Sequence, residues 1–293
     1  VPWGLVLVAM VVPAPCLRAE PGLPVCSALT PEQRLVVERL VTSLAAHDCC
    51  DDTLAACARR EAPSRLVARL IADVHRRVRA GQPEADIRRA FEKRAASALA
   101  PRRGADMDLT AVPWAGQADA PVSVVVYACA RCPFCSRAVP ALYRSVTEGP
   151  LAGKARLAMR VFPIRGHEHA LEGGLALEAA RDLGRFWPYL LRLYGRFDDF
   201  ALERLPAWAV EAGLDRAAFE AATGKAEVRE ALVRSKKEGV RLGVDATPTF
   251  FVNGRRYDGD LEEAALRDYL EEEAERVQGT LCQPAAPGAI PGR

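Results

Sequence analysis

Two cysteines separated by two residues, Cys132-Pro133-Phe134-Cys135, stand between an apolar run, Val122-Ser123-Val124-Val125-Val126-Tyr127, and a helical pattern. At a helix start this spacing lets the sulfurs close a small disulfide ring, the first at the helix N-terminus and the second one turn inside. Unpaired backbone N–H groups and the positive end of the helix dipole favour a thiolate at the first position. Cys132 is therefore expected to be the attacking thiolate, exposed and of lowered pKa, and Cys135 the shielded resolving thiol. Arg131 adds a positive charge beside Cys132, and Pro133 suits the first helical turn, where a missing N–H costs nothing. Phe134 between them is apolar and offers no extra hydrogen bond. The chemistry implied is thiol–disulfide exchange with no cofactor beyond the redox-active pair.

A metal site is the competing chemistry. Cys129 precedes Cys132 by three, so three thiolates could meet, yet no second cysteine pair or histidine set follows to complete four ligands. Cys129 alone also reads as a small apolar residue at a strand end, or as an exchange partner for Cys132. His167-Glu168-His169 has two histidines two apart, which point to different sides of a helix. His167 is read as a residue at a helix start, and no metal is assigned.

The elements that must position these residues follow from pattern. The apolar run reads as a buried strand leading into the cysteine helix, and Thr247-Pro248-Thr249 precedes a second apolar run, Phe250-Phe251-Val252. Gly116 to Pro121, the cysteine motif, and Val244-Asp245-Ala246-Thr247-Pro248-Thr249-Phe250-Phe251-Val252-Asn253-Gly254 together resemble the DsbA-type branch of the thioredoxin superfamily. Between them, Phe162-Pro163, His167 to Ala170, Ala176 to Ala180, Gly184-Arg185-Phe186-Trp187 and Ala212-Gly213-Leu214-Asp215 resemble the helical insertion of that branch. The resemblance covers about residues 106 to 278. It implies an α/β thioredoxin-like fold over 105–278 with an inserted helical domain at about 164–240. It further implies a cis Pro248 facing the cysteines, Thr247 offering backbone to an extended substrate, and Pro140 as the kink proline of the active-site helix. One position departs from the pattern: the buried carboxylate expected six residues before the first cysteine is Val126, which leaves the proton transfer at the resolving thiol to water or another group. Trp187, Trp208 and Phe219 read as core, with apolar residues near the site available as a peptide groove.

The rest of the chain divides around that region. Residues 20–104 form a small all-α, cysteine-containing domain: Leu35, Val36, Leu40 and Leu44 mark one amphipathic helix, Leu66 to Arg79 a second ended by Gly81, and Glu84 to Ala98 a third. The turn Ala80-Gly81-Gln82-Pro83-Glu84, with Asp86-Ile87 and Phe91, weakly resembles the helical hairpin of CcmH-type subunits of cytochrome c maturation. On one straight helix Cys50 and Cys57 would sit about 10 Å apart along the axis, out of disulfide reach. A turn near Asp51-Asp52 with Thr53 capping a new helix brings them together. Cys49, Cys50 and Cys57 are thus either staples of a marginal domain or accessory redox thiols. The pairing of Cys26, Cys49, Cys50, Cys57 and Cys282 stays open, and 279–293 is expected to be a flexible tail.

Residues 1–19 resemble a secretory signal, with an apolar run from Leu5 to Val12, too short to span a bilayer, and a small Ala19 before a polar stretch. Pro15 before Cys16 fits lipidation poorly. Removing Cys16 with the signal leaves an even number of cysteines, which suits an oxidising compartment. The expectation is a periplasmic or otherwise exported soluble protein. With 40 basic and 38 acidic residues, net charge +2, the chain has no field for nucleic acid or anionic membrane. Its expected partners are cysteine-containing polypeptides and a membrane or soluble redox partner that resets the disulfide. The alternatives kept open are a cytochrome c maturation reductant, a non-catalytic assembly adaptor, and a thiolate metal carrier.

Overall fold

The computed structural model describes residues 29–100, 104–110, 112–286 and 288–289. The signal-like segment and Cys26 lie outside the described residues. The chain opens with α1 (Pro31–Ser43), α2 (Leu54–Ala58), α3 (Arg65–Arg79) and α4 (Glu84–Leu99). Thr30 and Gln33 close a capping box on α1, and Ser64 caps α3. Thr53 caps α2, so the chain turns at Asp51-Asp52 and the Cys50 and Cys57 Cα atoms come to 6.1 Å, joined by a disulfide. Gly81, at φ +73°, makes the reversal between α3 and α4 that a side chain would strain.

The second unit is built on β1 (Trp114–Ala115), β2 (Val122–Ala128), α5 (Pro133–Thr147) and β3 (Ala155–Val161). Five helices follow: α6 (Ala170–Asp182), α7 (Phe186–Gly195), α8 (Leu205–Glu211), α9 (Arg216–Thr223) and α10 (Ala226–Arg241). The chain returns to the sheet as β4 (Thr249–Val252) and β5 (Arg255–Tyr257), then ends in α11 (Glu263–Val277). The sheet order is β1-β3-β2-β4-β5; β2 and β3 run parallel through the α5 crossover, and the other pairs are antiparallel. β2 is central and buried along nearly its whole length, which is why it reads as a continuous apolar run. The register pairs Tyr127 with Thr249 and Val126 with Phe250, so the end of β2 that feeds the cysteines lies beside the start of β4 that follows Pro248. This is the expected thioredoxin-like sheet with a helical insertion.

The insertion seats on the sheet at close quarters. On α10, Gly239 lies against Phe162 and Tyr127, and a Cβ there would come within 2.6 Å of Phe162 Cδ2 and Cε2. Gly239→Ala should therefore destabilise the fold by about 1–3 kcal/mol through overpacking. Helix propensity alone predicts a gain of about 1 kcal/mol, so the sign of the change in urea unfolding separates the two effects.

The chain end is not the free tail expected over 279–293. Cys282 is bonded to Cys49, 233 residues earlier, Leu281 is buried in the core of the first unit, and Ala285 N–H donates to the Pro63 carbonyl. A covalent link, a buried leucine and a backbone hydrogen bond hold this segment where composition alone suggested solvent. Its last residues, 290–293, lie outside the described residues. α11 forms the joint between the units, with Leu266, Tyr269 and Leu270 in the core of the sheet unit and ion pairs on its other side to α3 and α4.

Candidate active site

Cys132 is the N-cap residue of α5, in extended conformation, and Pro133 occupies the first helical position. The Cys132 sulfur thus faces the first N–H groups of the helix, those of Phe134 and Cys135. Its pKa falls from 9.0 to about 5, first because the Cys135 thiol donates to it, against the opposing effect of burial, and then through Thr247 and the two backbone N–H groups. Cys135 lies one turn inside, fully buried, and desolvation together with the neighbouring Cys132 charge pushes its pKa far up. Two thiols with the same intrinsic chemistry are driven in opposite directions by their positions on one helix.

The Thr247–Pro248 peptide bond is cis, and the Thr247 carbonyl lies 3.2 Å from the Cys132 sulfur, where it accepts from the thiol when Cys132 is protonated. The Thr247 hydroxyl is buried beside the same sulfur. This turn roofs the site, so Cys132 is only 1% exposed. The expectation of an exposed first cysteine is corrected here: exposure passes to Phe134, which is 61% accessible. Beside it an apolar groove is lined by Phe134, Ala138, Leu142, Leu151, Pro248, Leu261 and Leu266, with Arg137, Glu263 and Arg267 on its walls. Pro140 sits inside α5.

A comparison with known families places residues 110–272, more than half of the chain, in the family described as thioredoxin. The chain belongs to the thioredoxin family. Among solved structures, this thioredoxin-family chain is similar to oxidised BdbD from Bacillus subtilis, with 17% identity and a TM-score of 0.51 over 59% of this chain and 97% of that one. It is also similar to the thiol-disulfide exchange protein alpha-DsbA2 from Wolbachia pipientis, with 18% identity and a TM-score of 0.50 over 63% of this chain and 97% of that one. These likenesses establish the DsbA-like fold. Among curated proteins it is 32% identical over 159 residues to Na(+)/H(+) antiporter NhaA 1 from Mycolicibacterium gilvum (strain PYR-GCK), covering 53% of this chain. The chain spans about a quarter of the length of such relatives. Among the described residues no helix is long and apolar enough to cross a membrane.

Other thioredoxin-family site residues fall in unforeseen places. Arg131 does not sit over Cys132: its guanidinium stacks on Phe197 and Phe200, 4.5 and 4.2 Å from the ring centroids, and donates to the Phe197 carbonyl. The helix terminus and the Cys135 thiol, not Arg131, lower the Cys132 pKa. Val126 is fully buried. A buried phenol for which the sequence offered no signal, Tyr194, lies near the site, and its hydroxyl donates to the Cys129 carbonyl at 3.0 Å. His169, not His167, occupies the N-cap position of α6. His167 instead turns its Nδ1 to 3.4 Å from the Cys129 sulfur.

The accessory cysteines are far from equivalent to the active pair. Cys49–Cys282 and Cys50–Cys57 are disulfides, while Cys129, Cys132 and Cys135 are free and buried. Among the described residues, the one trio of ligand atoms within 4.8 Å of one another is Asp48, Cys49 and Cys282, and both sulfurs of that trio are held in a disulfide. The sulfurs of Cys129, Cys132 and Cys135 are not such a trio.

Proposed function

We propose that this chain is an exported thiol–disulfide oxidoreductase working chiefly in the oxidising direction on flexible, cysteine-bearing polypeptides. The observation that carries the reading is the split between Cys132, stabilised as a thiolate at the α5 N-terminus, and Cys135, disfavoured as one in the core. A stabilised Cys132 thiolate favours the reduced enzyme over its disulfide, which makes the Cys132–Cys135 disulfide a ready acceptor of electrons. Membership of the thioredoxin family and likeness to a protein named for thiol-disulfide exchange support it.

In this reading a substrate thiolate attacks the Cys132 sulfur of the disulfide. The S–S bond breaks, Cys135 takes the electron pair and a proton, and a mixed disulfide joins Cys132 to the substrate. A second substrate thiolate then attacks the substrate sulfur and releases Cys132 as its stabilised thiolate. The substrate gains one disulfide and the enzyme is left as a dithiol, to be reoxidised by a membrane or soluble partner. The groove beside Phe134 and Pro248 supplies the apolar contact for an extended substrate segment.

Two disulfides outside the active pair support an oxidising compartment, where such bonds persist. They act as staples in this reading, not as relay thiols. Oxidised protein should form one intramolecular disulfide per turnover in an unstructured two-cysteine peptide, and Cys132→Ser should abolish that reaction. Retention of peptide oxidation by Cys132→Ser would reject the reading.

A further inference from the structure

The active site contains a third free cysteine with chemical partners of its own. Cys129 is fully buried at the end of β2. Its sulfur lies 3.4 Å from His167 Nδ1, and the backbone N–H groups of Ile164 and Arg131 and the Lys236 ammonium are near enough to favour its thiolate. Burial raises its pKa, so at rest it is a thiol and needs a base before it can attack. An imidazole at hydrogen-bond distance is such a base, and two N–H groups with a nearby ammonium are what a developing thiolate would need. A cavity open to solvent is lined by His167, Arg165, Arg229 and Lys236, which gives a proton on the imidazole a way out.

The backbone already brings Cys129 to Cys132. The Cys132 N–H donates to the Cys129 carbonyl at 3.2 Å, closing a tight turn over the two residues between them. The ends of such a turn lie within about 7 Å in Cα separation, which brings the two residues to about the 4.4–6.8 Å that disulfides span. Cys135, by contrast, has no carboxylate at Val126 to take its proton.

We propose that Cys129, with His167 as its base, is a second resolving thiol that can release substrate from Cys132 in place of Cys135. The step rests on the thiol-exchange reading above. The step belongs to the reverse, reductive direction: the reduced Cys132 thiolate attacks a substrate disulfide, and one substrate sulfur leaves as a thiolate. In the mixed disulfide that remains, His167 Nδ1 takes the Cys129 proton and the Cys129 sulfur attacks the Cys132 sulfur. The bond to the substrate breaks, and the substrate sulfur leaves as a thiolate with the electron pair. A Cys129–Cys132 disulfide results. Cys135 can then lose its proton to water and attack Cys132, expelling Cys129, which regains a proton from His167. No outside oxidant is required, because the two electrons given up by Cys129 and Cys132 pass to the substrate disulfide that formed the adduct.

The test uses the full chain and the disulfide-linked homodimer of an unstructured single-cysteine peptide. Reduced Cys135→Ala protein is mixed with the peptide dimer, quenched with alkylating agent over time and mapped by mass. The expected course is an adduct at Cys132 that gives way to a Cys129–Cys132 crosslink with release of the peptide. In Cys129→Ala/Cys135→Ala the adduct should persist, and in His167→Ala/Cys135→Ala it should decay on the order of a hundredfold more slowly than in Cys135→Ala. The crosslinked fragment in Cys135→Ala decides the matter even if the double variants fail to fold. An adduct in Cys135→Ala that persists without crosslink overturns the role of Cys129 and leaves the oxidoreductase reading intact. No adduct in either cysteine variant overturns both.

Discussion

Reduced protein treated with iodoacetamide between pH 4 and 9 should be alkylated at Cys132 with a midpoint near pH 5, while Cys135 stays unmodified throughout. The midpoint follows from a pKa brought down from 9.0 to about 5 by the Cys135 thiol, the Thr247 contact and the α5 N–H groups. The silence of Cys135 follows from its burial and its raised pKa. The roof formed by Thr247 will slow the absolute rate at Cys132 without moving its midpoint. Stability carries the same signature. A group whose folded pKa is depressed stabilises the fold above its unfolded pKa, and that contribution disappears as pH falls through the folded value. The reduced protein should therefore hold a stability advantage over the disulfide form at neutral pH that fades as pH falls toward 5. A Cys132 midpoint near 9 would remove the basis for the oxidising assignment.

Replacing Glu272 by alanine should cost about 3–5 kcal/mol, because it leaves Arg94 buried without its main partner. Glu272 is fully buried on α11 and pairs with Arg94 of α4, which also donates to Asp73 of α3 at 2.9 Å. Burial works to raise the Glu272 pKa, but the charge and hydrogen bonds of Arg94 outweigh it and hold the carboxyl below its usual range. His47 Nε2 lies 3.9 Å away with no hydrogen-bond partner, and burial depresses its pKa. Both groups therefore weaken the joint between the units as pH falls: Glu272 must take a proton, and His47 must charge while buried and near the Arg94 and Arg276 guanidiniums. Arg94→Met with Glu272→Met should recover most of the loss, since removing both charges leaves no buried ion unpaired. By comparison Glu220→Ala, which removes an exposed pair with Arg216, should change stability by less than about 0.5 kcal/mol. A Glu272→Ala variant with wild-type urea stability would mean that α11 does not depend on this pair.

Local patterns made the active pair and most elements legible. The apolar run of β2, the CPFC spacing and Pro133 place Cys132 at a helix start from neighbours alone, and Thr53 and Gly81 mark turns by side-chain chemistry and backbone freedom. What stayed hidden depends on contacts far apart in the chain. The Cys49–Cys282 link joins residues 233 apart, and no local signal in the Pro-rich end distinguishes a clasp from a tail. Arg131 reads as a charge beside Cys132 until Phe197 and Phe200, supplied by the insertion, offer it two ring faces. The Cys129–His167 contact had a signal in the unexplained third cysteine and the His-Glu-His run. Only the packing of the β3–α6 connection against the end of β2 brings those two residues together.

The reduction potential of the Cys132–Cys135 couple, read by equilibrating the protein in glutathione buffers and counting alkylated thiols by mass, tests the central claim most directly. A stabilised Cys132 thiolate predicts a value well above that of thioredoxin, about −270 mV. A value at or below that figure would contradict an oxidising role and make this a reductant.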